Sequence, residues 1–266
     1  STRGALVAPG RDQLDLTFPD SIRETMQRIT PDIVVNAAAY TDVDGAEREP
    51  EQAAAINARA PGVLAEEAAG QGAWLVHYST DYVFDGTKTA PYVEADEPHP
   101  MNEYGRTKRA GEKAIQAAAE RFLIFRTSWV YSDRRSNFLL TMLRLADEND
   151  RLTVVDDQVG TPTWAGWIAE ATATILDSLR ACEAPARHAG LYHLSASGQT
   201  SWYGFARAIF AQFGRDDVEV VPVSSEEYPT AACRPTYTVL DSTTAGRTFG
   251  LEIRTWSEQL AALRHR

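Results

Sequence analysis

Residues 74–108 read WLVHYSTDYVFDGTKTAPYVEADEPHPMNEYGRTK, and this stretch decides the fold. Its apolar start, Trp74-Leu75-Val76, predicts a buried strand that closes on the polar step Ser79-Thr80-Asp81. Tyr104-Gly105-Arg106-Thr107-Lys108 then opens a helix in which tyrosine and lysine share one face a turn apart. An ammonium beside a phenol favours the phenolate and lowers the phenol's pKa, which would make Tyr104 a better proton donor or acceptor near neutral pH. Thr80 offers a second hydroxyl to a substrate oxygen; the competing reading is a hydroxyl that caps the loop after the strand. Together the three side chains suit carbonyl reduction.

Towards the amino terminus, Ala5-Leu6-Val7-Ala8 before Pro9-Gly10 predicts a strand and a turn. A helix follows, capped by Asp20 or Ser21, carried by Ile22, Met26 and Ile29, and ended by Pro31. Residues 32–39 are a β-branched run closed by Ala37-Ala38-Ala39, the pattern of a parallel strand whose end lets a ligand approach the backbone, although plain core packing fits it as well. Residues 43–71 carry Ala53, Ile56, Ala60, Val63, Leu64 and Ala68 at helical spacing, with Gly70 as a stop.

Towards the carboxyl terminus, residues 121–126 predict a strand with Thr127 to Tyr131 at its end. Helices are expected over 137–147, 164–179 (capped by Thr163) and 201–213, strands over 152–155, 190–194 and 218–223, and a loop over 228–235. The alternation predicts an α/β fold: a doubly wound parallel sheet with ligands outside the carboxyl ends of its strands. Where the alternation lapses, a smaller carboxyl-terminal domain is expected.

With 44% hydrophobic and 24% charged residues, the 266-residue chain has the composition of a globular protein. No apolar run reaches the roughly 20 residues of a membrane span, and no start resembles a signal peptide, so the expected location is the cytoplasm. A net charge of −11 repels nucleic acid polymers, so an anionic substrate would need local arginine. Cys182 and Cys233 lack metal-ligand spacing, and no metal is expected. Only three lysines occur, Lys88, Lys108 and Lys113, which sharpens interest in Lys108.

The runs VVNAAAYTDVDGAE (34–47), HYSTDYVFDG (77–86), YGRTKRAGE (104–112), FRTSWVY (125–131) and VVDDQVGTPT (154–163) resemble, in order, the dTDP-4-dehydrorhamnose reductases, which are extended short-chain dehydrogenases/reductases. The likeness runs through nearly the whole chain. It implies a Rossmann-type NAD(P)-binding domain over residues 1–131 with 152–182 returning to it, and interleaved segments, 132–151 and 183–266, that belong mainly to a substrate-binding domain. It implies reduction of the C4 ketone of dTDP-4-dehydro-6-deoxy-L-mannose (dTDP-6-deoxy-L-lyxo-4-hexulose) to dTDP-L-rhamnose by NADPH or NADH. A related nucleotide-sugar reductase or epimerase, or a non-catalytic regulatory subunit, are the alternatives; Thr80, Tyr104 and Lys108 occurring together argue against the last.

By position, the resemblance makes Thr80, Tyr104 and Lys108 catalytic, with Tyr104 protonating the nascent alkoxide and Lys108 holding the nicotinamide ribose. Val43, Thr80, Asp81, Tyr82 and Trp129 would contact the dTDP-sugar. Ala39, Tyr40 and Thr41 would contact the cofactor at the strand end, with Asp15 and Leu16 beside adenine. Arg11 is a candidate for a 2′-phosphate, against the reading of a solvated loop residue, and Arg234 a weaker one for the substrate diphosphate. The family also begins with a strand and a Gly-rich turn around the pyrophosphate. No G-x-x-G-x-x-G occurs here, so about thirty residues ahead of Ser1 are expected to carry it. Some members have a glutamate of a magnesium-bridged dimer where this chain reads Trp164-Ala165-Gly166-Trp167; without an acidic residue there, that dimer is not expected, and the oligomeric state is open.

Overall fold

The computed structural model describes residues 4–263. Its centre is a four-stranded, wholly parallel sheet of β1 (Ile33–Asn36), β2 (Trp74–Thr80), β3 (Phe122–Thr127) and a strand at Gly190–His193, side by side in that order. Alternation along β2 and β3 divides the core. Trp74, Val76, Leu123 and Phe125 join a large apolar cluster on one face, whereas Leu75 and Ile124 pack on the other with Ile22, Leu64 and Ile115. Both faces are thus covered, as the doubly wound reading requires.

On the second face lie α1 (Pro19–Ile29), α4 (Ala60–Gln71) and α5 (Glu103–Ala118). Helix α1 begins a little earlier than expected, because Pro19 sits at the first helical position, where its fixed φ and missing N–H do no harm. Ser21, expected as a cap, instead accepts from Asp15 N at 3.1 Å. The helix closes at Thr30 in the left-handed region (φ 47°), one residue before Pro31.

The single helix expected over 43–71 is broken into α2 (Val43–Arg48), α3 (Pro50–Ala54), a π-helical turn (Ala55–Arg59) and α4. Pro50 opens α3 by supplying no helical N–H, and Pro61 likewise has none to return to Asn57 O. The wider π turn carries Asn57 inward, where it is fully buried.

Three further expectations are corrected. Ala5–Ala8 form no strand: Leu6 is 93% exposed, and among the described residues nothing hydrogen-bonds them into a ladder. The Thr163 hydroxyl donates to Thr161 O and accepts from Ala196 N, so it does not cap α7 (Ala165–Ala181), whose N-cap is Trp164. The domain boundaries also fall differently. The strand at Gly190–His193 completes the main sheet, while Arg151–Val155 leaves it to pair with Glu219–Val223 in a separate parallel ribbon. Around that ribbon pack α6 (Phe138–Glu148) and α8 (Trp202–Phe213). Among the described residues, no helix is long and apolar enough to cross a membrane.

Candidate active site

The carboxyl end of β2 meets the start of α5. Asn102 fixes the junction: its Oδ1 accepts from Gly105 N at 2.8 Å, capping the helix, while its Nδ2 donates to Cys233 O at 2.8 Å. Tyr104 is therefore the second residue of α5, and Lys108 follows one turn later, 2% exposed. Beyond β2, Thr80 Oγ1 accepts from Tyr82 N at 3.1 Å and donates to Asp81 Oδ1 at 3.0 Å. The capping reading of Thr80 thus holds, and the same hydroxyl lies within hydrogen-bonding reach of the Tyr104 phenol. Tyr82 sets its ring edge-on to Tyr104, with centroids 6.0 Å apart.

The electrostatics differ from the expectation drawn from spacing. The Tyr104 phenol is pushed up to about 12, by burial first and by the Asp81 charge, with Thr80 working the other way. Lys108 does not lower it, because its ammonium turns to the sheet: Nζ donates to Tyr78 O at 2.6 Å and lies 3.2 Å from His77 Nε2. Burial brings Lys108 down to about 8, against the opposing pull of Glu112. Asp81 is raised to about 6 by burial, although Ser128 and Thr80 donate to it. Near neutrality the site therefore offers a protonated phenol, a lysine close to its titration point and a buried carboxylate.

Beneath these groups lies a support that the sequence did not disclose. Glu112 is fully buried and accepts from Arg126 Nε and Nη2 at 2.8 Å, Ser79 Oγ at 2.6 Å and Arg109 Nη1 at 2.8 Å. Burial opposes its charge, but these donors outweigh it and hold the carboxyl below its ordinary range. Ser79 and His77 point to the same face of β2, and Glu112 and Lys108 to the same face of α5, so strand and helix meet in two polar layers. Asn57 clamps the loop after β1: its Oδ1 accepts from Tyr40 N at 2.9 Å and its Nδ2 donates to Tyr40 O at 3.0 Å. Buried asparagine and glutamate within helical stretches were the available signals.

The remaining candidates fall into two groups. Ser128 Oγ donates to Asp81 at 2.8 Å and so joins the end of β3 to the site; Trp129 follows with φ 45°, stacked on Trp202 at 3.5 Å and 3°. Arg234 donates to both carboxylate oxygens of Asp44 at 3.1 and 2.9 Å and also interacts with the Tyr82 hydroxyl. Val43, which opens α2, is half-buried. Arg11 and Asp15 lie elsewhere, in the loop before α1, paired at 3.5 Å, and Leu16 packs into the apolar cluster behind the sheet. Ala39, Tyr40 and Thr41 lie after β1, and the Tyr40 hydroxyl donates to Glu49 at 2.7 Å. Among the described residues, no group of His, Cys, Asp and Glu is arranged to hold a metal ion.

The sequence profile of the RmlD substrate binding domain family matches residues 1–266. A dTDP-4-dehydrorhamnose reductase of Burkholderia thailandensis is 44% identical over 261 residues, 95% of this chain and 88% of that protein. The chain belongs to the dTDP-4-dehydrorhamnose reductase family. Another member, from Escherichia coli K12, is 44% identical over 91% of this chain and 82% of its own. The crystal structure of the Bacillus anthracis dTDP-4-dehydrorhamnose reductase in complex with NADP superposes with a TM-score of 0.87 at 36% identity, over 96% of this chain and 88% of that one. The reductase family therefore accounts for the parallel sheet as well as for the motifs at its carboxyl edge.

Proposed function

We propose that this chain reduces the C4 ketone of dTDP-4-dehydro-6-deoxy-L-mannose to give dTDP-L-rhamnose, using NADPH or NADH. The observation that carries the reading is the meeting of Thr80, Tyr104 and Lys108 where β2 ends and α5 begins, with the phenol held protonated. Reduction needs an acid at the carbonyl oxygen, and a phenol near 12 is one at neutral pH. Thr80 steadies the oxygen, and Tyr104 gives it the proton. Asp81, Tyr82, Trp129 and Val43 would bind the dTDP-sugar, with Arg234 exchanging Asp44 for the diphosphate.

A reduced nicotinamide dinucleotide supplies the hydride when bound. The residues present fit its ribose end: Lys108 donates to Tyr78 O and lies 3.2 Å from His77 Nε2, which leaves it one N–H for a ribose hydroxyl. The exposed Ala37 and Ala38 leave room at the end of β1, beside Ala39, Tyr40 and Thr41. Arg11 and Asp15 offer a cation for a 2′-phosphate and a carboxylate for a 2′-hydroxyl, which supports both forms of the cofactor.

The test is NADPH oxidation by the full-length protein with the 4-keto sugar nucleotide generated in situ. Tyr104→Phe is expected to lower kcat by about 10²–10⁴ while leaving the fold intact. No turnover by the full-length protein would remove the reductase reading, and an unchanged rate in the variant would remove the role of Tyr104.

A further inference from the structure

The side chains of Asn36, His77 and Lys108 form a buried chain from β1 through β2 to α5. Asn36 Nδ2 lies 3.1 Å from His77 Nδ1, and His77 Nε2 lies 3.2 Å from Lys108 Nζ. The three residues are 6%, 1% and 2% exposed, so solvent cannot satisfy whatever they leave unpaired. No role for His77 or Asn36 follows from the sequence motifs.

Counting hydrogens shows that the chain has two consistent arrangements. Burial and the neighbouring ammonium keep the imidazole neutral, so it carries one N–H. If Lys108 is charged it has only donors, and the nitrogen facing it must be a lone pair. The ring proton then sits on Nδ1, and Asn36 must present its oxygen. If Lys108 is neutral, Nε2–H donates to the amine lone pair, Nδ1 accepts from the Asn36 amide, and Asn36 Oδ1 is free to accept from Ala38 N, 3.3 Å away. The observed amide orientation is that of the second arrangement. Nitrogen and oxygen of an amide occupy almost the same space, so exchanging them requires no repacking; it gives up the bond from Ala38 N, whose residue is exposed and can turn that N–H to solvent.

We propose that His77 and Asn36 are a positioning pair for Lys108, in which the imidazole tautomer and the amide orientation change together with the lysine's charge. In both arrangements Lys108 keeps its bond to Tyr78 O and one outward N–H, so its grip on a ribose hydroxyl persists through its titration. That last consequence rests on the reductase reading; the tautomer exchange does not. The other groups facing Lys108 do not compete for its proton. Glu112 is held by Arg126, Arg109 and Ser79, while Tyr104 and Asp81 interact with Thr80 at the mouth of the site.

Long-range 1H–15N spectra of the histidine rings, recorded on the 15N-labelled chain from about pH 6 to about pH 10, test the pair. His77 is expected to remain neutral and to pass from the Nδ1–H to the Nε2–H tautomer around pH 8, where Lys108 titrates. The other buried ring, His193, has Nδ1 3.0 Å from Tyr92 O and stays Nδ1–H; His193→Gln separates the two signals. Lys108→Arg, always charged, is expected to hold His77 as Nδ1–H throughout. A single tautomer across the range in the wild-type chain, or an imidazolium at pH 6, overturns the proposal. In turnover, His77→Gln is expected to move the alkaline limb of kcat against pH by a unit or more, and an unmoved limb overturns the positioning role. If the full-length protein has no turnover, the reductase reading falls and the spectra still decide the tautomer exchange.

Discussion

Asp81 is a charged group held at a disadvantage, 2% exposed at the end of β2 and raised to about 6. Its folded pKa lies above that of a free aspartate, about 3.9, so the folded state binds the proton more tightly. The contribution to stability is fully present below the unfolded pKa and is lost as pH rises through about 6. At about 1.4 kcal/mol per unit, the loss is on the order of 3 kcal/mol. Asp81→Asn removes this term, so urea unfolding should show the variant gaining roughly that much on the wild type between pH 4 and pH 7. Parallel curves would mean that Asp81 ionises freely in the folded protein. Thr80, Tyr104 and Lys108 were legible because their arrangement is local, a strand end and one helical turn. The direction of the Tyr104 shift was not, since it depends on where Lys108 turns, and that is set by His77 and Tyr78 O on another element.

Helix α5 lies close enough to its neighbours to exclude side chains at two positions. A Cβ on Gly105 would stand 2.2 Å from Tyr82 O, and one on Gly111 2.1 Å from Asn57 O, both backbone atoms. Alanine at an exposed helical position gains up to about 1 kcal/mol over glycine. Backbone on both sides of the Gly111 contact cannot yield cheaply, and overpacking of this kind costs about 1–3 kcal/mol. Gly111→Ala should therefore destabilise by about 2 kcal/mol, whereas Gly70→Ala, exposed with open space around it, should stabilise by about 0.5–1 kcal/mol; denaturant midpoints of the two variants would show the opposite signs. Apolar spacing announced the helices but ran unbroken through the π turn, because Asn57 enters by a change of winding that leaves the pattern intact. The expected caps lie elsewhere for separate reasons: Pro19 starts α1 ahead of Asp20 and Ser21, and Thr163 is engaged by Ala196, a distant partner that spacing along the chain cannot register.

Across the whole molecule, the carboxyl-terminal loop is fastened to α2 and to the start of α5. Arg234 grips Asp44, Cys233 O accepts from Asn102, and Pro235 lies against Gly86, where a Cβ would stand 2.7 Å from it. The Arg234–Asp44 pair is 20% and 30% exposed and doubly hydrogen-bonded, so a coupling of about 1 kcal/mol is expected. A double-mutant cycle with Arg234→Ala and Asp44→Asn measures it, and zero coupling would show that the fastening lies in the backbone contacts. Motif order revealed the sheet, but the domain boundary was misplaced because the chain returns at Gly190 to complete that sheet after building the ribbon beside it.

Trp129 and Trp202 come from different parts of the chain, yet their rings lie 3.5 Å apart and 3° from parallel. At that separation the strong ultraviolet transitions of the two indoles are expected to couple and to add a paired, oppositely signed band to the far-ultraviolet circular dichroism. A ligand that parted the two rings would abolish that band. The protein thus carries its own unlabelled gauge of whether this stack is closed or open.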